Sequence, residues 1–176
     1  MALNYLDLDE QTRMHMADEI QFDKDHNNFY LSNFLSPKGK EQWPALLEES
    51  VQHDDQWLER EIVNRRLLAE FYPKRKPNST EMTQARVPYT AAQTLAEGEF
   101  NRLYARGLCA RVIAEGGHTV EAYRARYSVN PRPESELIIG HKFNPQDIIQ
   151  DLRSNPGIDT AIGIPPGPNS GISIKK

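Results

Sequence analysis

Cysteine is almost missing from this chain: Cys109 stands alone among 176 residues, which excludes an internal disulfide and any cysteine-rich metal centre. Its expected place is inside a helix, as a small apolar filler. Long apolar runs are missing as well, and nothing approaches the ~20 residues that cross a bilayer. The opening MALNYLDLDE has neither the basic nor the apolar stretch of an export signal. These absences lead us to expect a soluble, cytoplasmic protein with no membrane partner. Hydrophobic residues are scarce, at 38% with a mean hydropathy of −0.69, although 9% aromatics argue against wholesale disorder. A chain so composed is expected to complete its packing against partners.

Familiar catalytic spacings are also absent. The five histidines, His15, His26, His53, His118 and His141, contain no pair at the spacing of a zinc helix or finger. There is no glycine loop to cradle phosphate, no nucleophile elbow, and no cysteine with an evident base. We therefore expect no metal and no cofactor, and a non-catalytic role. The best catalytic constellation, as an alternative, is Glu97, Glu99, Arg111, His118 and Glu121 with Arg124 and Arg126. Carboxylates, an imidazole and guanidinia around one helix end and the following strand suit binding and cleavage of a phosphodiester. Nucleic-acid binding is a related alternative. Arg102, Arg106, Arg111, Arg124, Arg126 and Arg132 interleave with Tyr104, Tyr123 and Tyr127, and KRK at 74–76 reads as a mobile basic loop. A sequence pI near 5.8 and the lack of a known nucleic-acid-binding motif weigh against it.

What is present is mostly helical signal. Asp9 is the expected cap of a first helix to about Asp23, with Met14, Ala17, Ile20 and Gln21 along one side. Ser36–Pro37 opens a second, and Pro44 reads as the start of a further short helix. Asp54 or Asp55 caps one expected to run to Phe71, followed by a bare PKRKPNS linker. The longest helix begins after Thr90 and stops at Gly116–Gly117, with Phe100, Leu103, Tyr104, Gly107, Leu108 and Ala114 sharing a face and Arg111 near its middle. Strands are expected at 119–128, 85–89 and 136–143, and Asn144–Pro145 caps a last helix. The expected fold is α+β, a mainly helical domain over residues 1–154 with a small sheet or hairpin.

Residues 155–176, NPGIDTAIGIPPGPNSGISIKK, are too rich in proline and glycine for a helix, yet isoleucines punctuate them. They are read as an extended C-terminal arm that docks on a partner through Ile162, Ile164, Ile172 and Ile174, with packing on its own domain as the alternative. Charge is split to match. Residues 1–61 hold fourteen Asp and Glu against five Lys and Arg, and residues 62–176 hold eleven against sixteen. The acidic part of one copy can therefore meet the basic part of another, and Arg102, Arg106, Arg111, Arg124 and Arg126 form either a charged surface or an internal network. The expected partners are further copies of the chain or other subunits, with nucleic acid as the alternative.

The blocks FYLSNFLSPKGKEQWPALL, LAEGEFNRLYARGLCARVI, YRAR followed by NPRPESE, and GIPPGPNSGIS resemble those of uncharacterised small proteins of bacteria and their phages. The resemblance implies a bacterial or viral origin and a subunit of a larger assembly such as a virion, in the host cytoplasm or the assembled particle. It brings no chemistry with it.

Overall fold

A computed structural model describes residues 2–157, 160–167 and 170–176. Its elements run α1 (Glu10–His26), α2 (Pro37–Ser50), α3 (Asp55–Asn64), β1 (Phe71–Arg75), β2 (Met82–Arg86), α4 (Ala91–Ala114), β3 (Val120–Arg124), α5 (Pro133–Ile138), β4 (Lys142–Phe143), α6 (Pro145–Ser154) and β5 (Ile172–Lys175). The fold is α+β, with helices packed about α4, a two-stranded ribbon β1–β2, and a three-stranded antiparallel sheet of order β4-β3-β5.

The helix starts follow from their caps. Asp9, Ser36, Asp54 and Asn144 each accept a hydrogen bond from a backbone N–H two or three residues on, satisfying donors that have no partner inside the helix. Pro37 and Pro145 occupy the first helical turn, where their fixed φ fits and no N–H is missed. Pro44 lies inside α2, not at the start of a new helix. Helix α3 stops at Asn64, short of Phe71, because Arg66 turns to φ 54° and Leu67 drops into the core. The stretch foreseen as a linker becomes β1 and the ribbon turn, and 136–143 divides between α5 and β4.

Helix α4 is the axis. It packs against α1, α3 and α6, and fifteen of its twenty-four residues are buried, Ala114 at its end being exposed. A helix apolar all round belongs in a core. Gly107 is where α1 comes closest: a Cβ there would sit 2.9 Å from the Met16 nitrogen and 2.5 Å from its Cγ. The buried side of α1 is Thr12, Met16, Glu19, Ile20 and Asp23, so Met16 enters the core and Met14, expected there, is exposed. Cys109 is fully buried in α4, and burial pushes its thiol well up.

The C-terminal arm closes this same core. Strand β5 pairs antiparallel with β3, with Ala122 opposite Ile174 and Arg124 opposite Ile172. Ile164, Ile172 and Ile174 are wholly buried in the main hydrophobic cluster, and only Ile162, at 39%, keeps appreciable exposure. These three isoleucines fill their own domain, which removes them from the set expected to dock on a partner. Asn101 fixes the strand by donating to the Ile172 carbonyl at 2.9 Å and accepting from the Ser173 hydroxyl at 2.7 Å, while the Tyr104 hydroxyl donates to the Ile174 carbonyl at 3.1 Å. The approach to β5 turns at Gly171, whose φ is +70° and whose carbonyl accepts from Ala125 and Arg126. Ile158 and Pro168 of the arm lie outside the described residues.

Candidate functional site

The charged residues singled out in the sequence fall into three separate places. Arg106 is in the interior, where its guanidinium donates to Glu19 and Asp23 at 2.7–3.1 Å; Arg153 reaches the same Glu19 from α6. Burial alone would raise the Glu19 carboxyl, but the hydrogen bonds and charges of Arg153 and Arg106 outweigh it and hold the group below its usual range. These four residues tie α1, α4 and α6 together. At the C-terminal end of α4, Arg111 pairs with Asp9 at 2.7 Å and Glu115 at 2.8 Å. It is not a core charge awaiting a distant partner, for its mates are the cap of α1 and its own i+4 neighbour. His118 is exposed beyond that end, and Glu121 pairs with Lys175 across β3–β5. Arg111, His118 and Glu121 thus stand apart from Glu97 and Glu99, and the five do not form one catalytic group.

Glu97 and Glu99 belong to the third place, the N-terminal half of α4. There α4, the 30–34 segment, the 132–138 segment and the arm enclose a cavity of about 980 Å³. Leu3, Phe34, Leu95, Ile138, Pro165 and Pro166 give it apolar walls, and Tyr30, Ser32, Asn101, Ser135 and Ser170 supply polar groups. Glu97, Glu99, Arg102, Arg132 and Glu134 bring charge to it. A mostly apolar concavity of this size with a few convergent polar groups is the usual form of a small-molecule site. The arm builds one wall. Its path is held where Asp151 accepts from the Ala161 and Ile162 N–H groups, both at 3.0 Å.

The two glutamates are handled differently. Glu97 is nearly buried and takes a 2.5 Å hydrogen bond from Arg126, which comes from the end of β3. Glu99 stands 3.7 Å from Arg102, a distance too long for a strong hydrogen bond. Arg102 is itself drawn toward α6, where it donates to the Leu152 and Asn155 carbonyls. Desolvation therefore dominates at Glu99: burial, with the charge of Asp23 adding to it, lifts the carboxyl to about 7 despite Arg102 and Arg106. Arg102 is shifted downward by the same burial. A carboxyl able to gain or lose a proton near neutrality, on the wall of a large cavity, is suited to general acid–base work.

Behind Glu97 lies Asp55, a first-turn residue of α3. Its Oδ2 accepts from the Leu3 N–H at 3.1 Å, while Oδ1 and the Tyr5 hydroxyl have no partner among the described residues. Desolvation raises Asp55 to about 6, with Glu97 and Asp54 adding to the effect. Asp55 and the aromatics Tyr30 and Phe34 were not foreseen as site residues. The one local signal for them was Asp55 itself, a second acid directly after a capping Asp54, which reads from sequence as an ordinary first-turn charge.

Arg124 makes an ion pair with Glu136 and donates to the Ser170 carbonyl at 3.4 Å, so it braces the cavity rim from behind. Arg132, expected among the arginines of a nucleic-acid surface, lies on the cavity lining. Among the described residues, no three of His, Cys, Asp and Glu come together as a metal-holding group, and no helix is long and apolar enough to cross a membrane. No family model, curated protein or solved structure matches the chain.

Proposed function

We propose that the cavity is the working site and that the chain binds, and cleaves by hydrolysis, a nucleotide-sized phosphodiester. The observation that carries this reading is Glu99, a carboxyl lifted to about 7 on the wall of a 980 Å³ cavity that also holds Arg102 and Arg132. With Glu99 neutral and Glu97 compensated by Arg126, Arg102 and Arg132 together outweigh Glu134 and a phosphate is attracted. Tyr30 and Phe34 offer aromatic surface to a base. In the proposed reaction Glu97 takes a proton from the attacking water as its oxygen bonds to phosphorus. The bond to the leaving oxygen breaks, and Glu99 gives that oxygen its proton. Two protons, one bond formed and one broken complete the balance.

The pH dependence follows from the direction of the shift. Ionising Glu99 places a negative charge beside the phosphate, so binding of adenosine 3′,5′-cyclic monophosphate, a diester whose own charge does not change in this range, is expected to weaken about tenfold between pH 6 and pH 8. Glu99→Gln, which stays neutral, is expected to bind equally at both values. Its turnover of bis(p-nitrophenyl) phosphate should fall by about 10²–10⁴. Equal binding by the parent at pH 6 and 8, or full turnover by Glu99→Gln, would contradict the assignment.

A second reading keeps the assembly role, as a non-catalytic subunit of a bacterial or phage particle. With three arm isoleucines in the core, its support is the excursion after β3 together with α5, which leaves Tyr127, Val129 and Leu137 exposed at 82%, 79% and 72%. Were this excursion a contact between copies, light scattering would give an oligomer that Tyr127→Ser with Leu137→Ser converts to a monomer. A parent that is strictly monomeric at 100-fold dilution steps up to millimolar concentration removes self-assembly.

A further inference from the structure

The β1–β2 ribbon has no counterpart in the cavity chemistry. An isolated two-stranded ribbon is marginal in water, and this one has most of its surface outside the core: all of its ten strand residues except Tyr72 and Ala85 are exposed. The register sorts its side chains. Tyr72 and Ala85 share the inner face, and Tyr72 stands edge-on to Phe34 with ring centroids 4.8 Å apart. Phe71, Arg75, Met82 and Arg86 share the outer face. There Phe71 is 47% exposed, and the Arg86 guanidinium lies 5.5 Å from its ring centre. Tyr89, just past β2, is 99% exposed.

Residues 70–87 hold four Lys and Arg against two acids in a chain that is otherwise acidic. The two acids, Glu70 and Glu81, make exposed ion pairs with Arg86 and Lys76, contacts weak enough to exchange for phosphate. Solvent-facing aromatics interleaved with cations are the combination that grips single strands, with rings under bases and cations along the backbone. Phe34, against which the ribbon rests, is also a cavity wall.

We propose that the ribbon is a grip for single-stranded nucleic acid, in which bases stack on Phe71 and Tyr89 and phosphates meet Arg75, Lys76 and Arg86, and that it delivers the strand past Tyr72 and Phe34 to the cavity. The grip stands on the ribbon alone; the delivery rests on the function proposed above.

Fluorescence anisotropy with labelled 20-nucleotide single-stranded DNA and RNA between 50 and 200 mM salt tests it. The parent is expected to bind, with the logarithm of affinity falling linearly against the logarithm of salt. Arg75→Ala/Lys76→Ala/Arg86→Ala should weaken binding at least tenfold and flatten that slope by about 2, since each lost phosphate contact removes about 0.7. Phe71→Ala and Tyr89→Ala should each weaken it about tenfold with the slope unchanged. Because the ribbon's outer face lies off the core, these variants should melt with the parent. The ribbon variants should keep the parent's affinity for adenosine 3′,5′-cyclic monophosphate, so loss of nucleotide binding reports a failure of the cavity and loss of oligonucleotide binding a failure of the grip. Absence of oligonucleotide binding at 50 mM salt overturns the proposal. So does equal binding by parent and ribbon variants, or a parent dimer that only the ribbon variants dissociate.

Discussion

Removal of residues 171–176 is expected to leave a chain that does not fold. The segment carries Ile172 and Ile174, both wholly buried, and the buried Ser173 that hydrogen-bonds Asn101. Truncating one buried isoleucine to alanine costs about 2–5 kcal/mol. Loss of two, together with a whole strand paired to β3, reaches the ~5–15 kcal/mol that separates a native domain from its unfolded chain. Circular dichroism should show no cooperative melt, and amide resonances should collapse to the narrow range of an unfolded chain. The milder Ile174→Val should fold and lose about 1 kcal/mol. A truncated chain melting within a few degrees of the parent would mean that the arm only rests on the domain, and would restore it as a docking device.

Arg106→Ala is expected to destabilise the fold by about 3–5 kcal/mol, the cost of leaving a buried ion without its partner. Arg106 makes four hydrogen bonds to Glu19 and Asp23, and the side chains of all three are almost inaccessible. Arg106→Leu with Asp23→Leu should cost less than Arg106→Ala, because the second substitution removes a stranded carboxylate. The pH dependence has a definite sign. Glu19 is held below its usual value in the folded state, so its contribution is full above the unfolded pKa near 4.5 and is lost as pH falls through the lower folded value. Urea titrations from pH 3 to 6 should show that acid sensitivity in the parent and a weaker one in Arg106→Ala. Equal stability of the two proteins across that range would make the triad a surface ornament.

Glu99 and Asp55 act in the opposite sense. Their folded values, about 7 and about 6, lie above the unfolded ones, so the stability they confer is full below about pH 4 and is lost as pH rises to 7. Both are carboxyls whose charge the interior disfavours, so neutral replacements of similar shape at the two positions should remove this part of the pH dependence.

Much of the helical framework was legible because its signals are local. Asp9, Ser36, Asp54 and Asn144 each announce a helix start through a side chain that reaches its own backbone. The errors arose where tertiary contacts decide. No local rule turns the chain at Arg66 or sends PKRKPNS into a ribbon, and IIGHKF is β-rich by composition yet divides between the end of a helix and a two-residue strand. The C-terminal isoleucines were visible as apolar punctuation, but an alternating GISI reads the same whether its sheet belongs to its own domain or to a neighbour.

The site was half legible. Glu97 and Glu99 stand out as acids in a helix of small apolar residues, whereas their companions Arg126, Arg132, Tyr30 and Phe34 come from segments up to about a hundred residues apart in sequence. Arg111, His118 and Glu121 joined them on paper by proximity along the chain. Helix α4 is long enough to carry the two sets to its opposite ends.

The most direct test of the cavity as the working site is a nuclear magnetic resonance titration of the isotope-labelled chain with adenosine 3′,5′-cyclic monophosphate at pH 6 and pH 8. The expected result is a set of saturable amide shifts at Gly98, Ser135, Gly163 and Gly171, which line the cavity from three different segments, with about tenfold weaker affinity at the higher pH. Saturable shifts confined to other surfaces, or none at millimolar nucleotide, would contradict it.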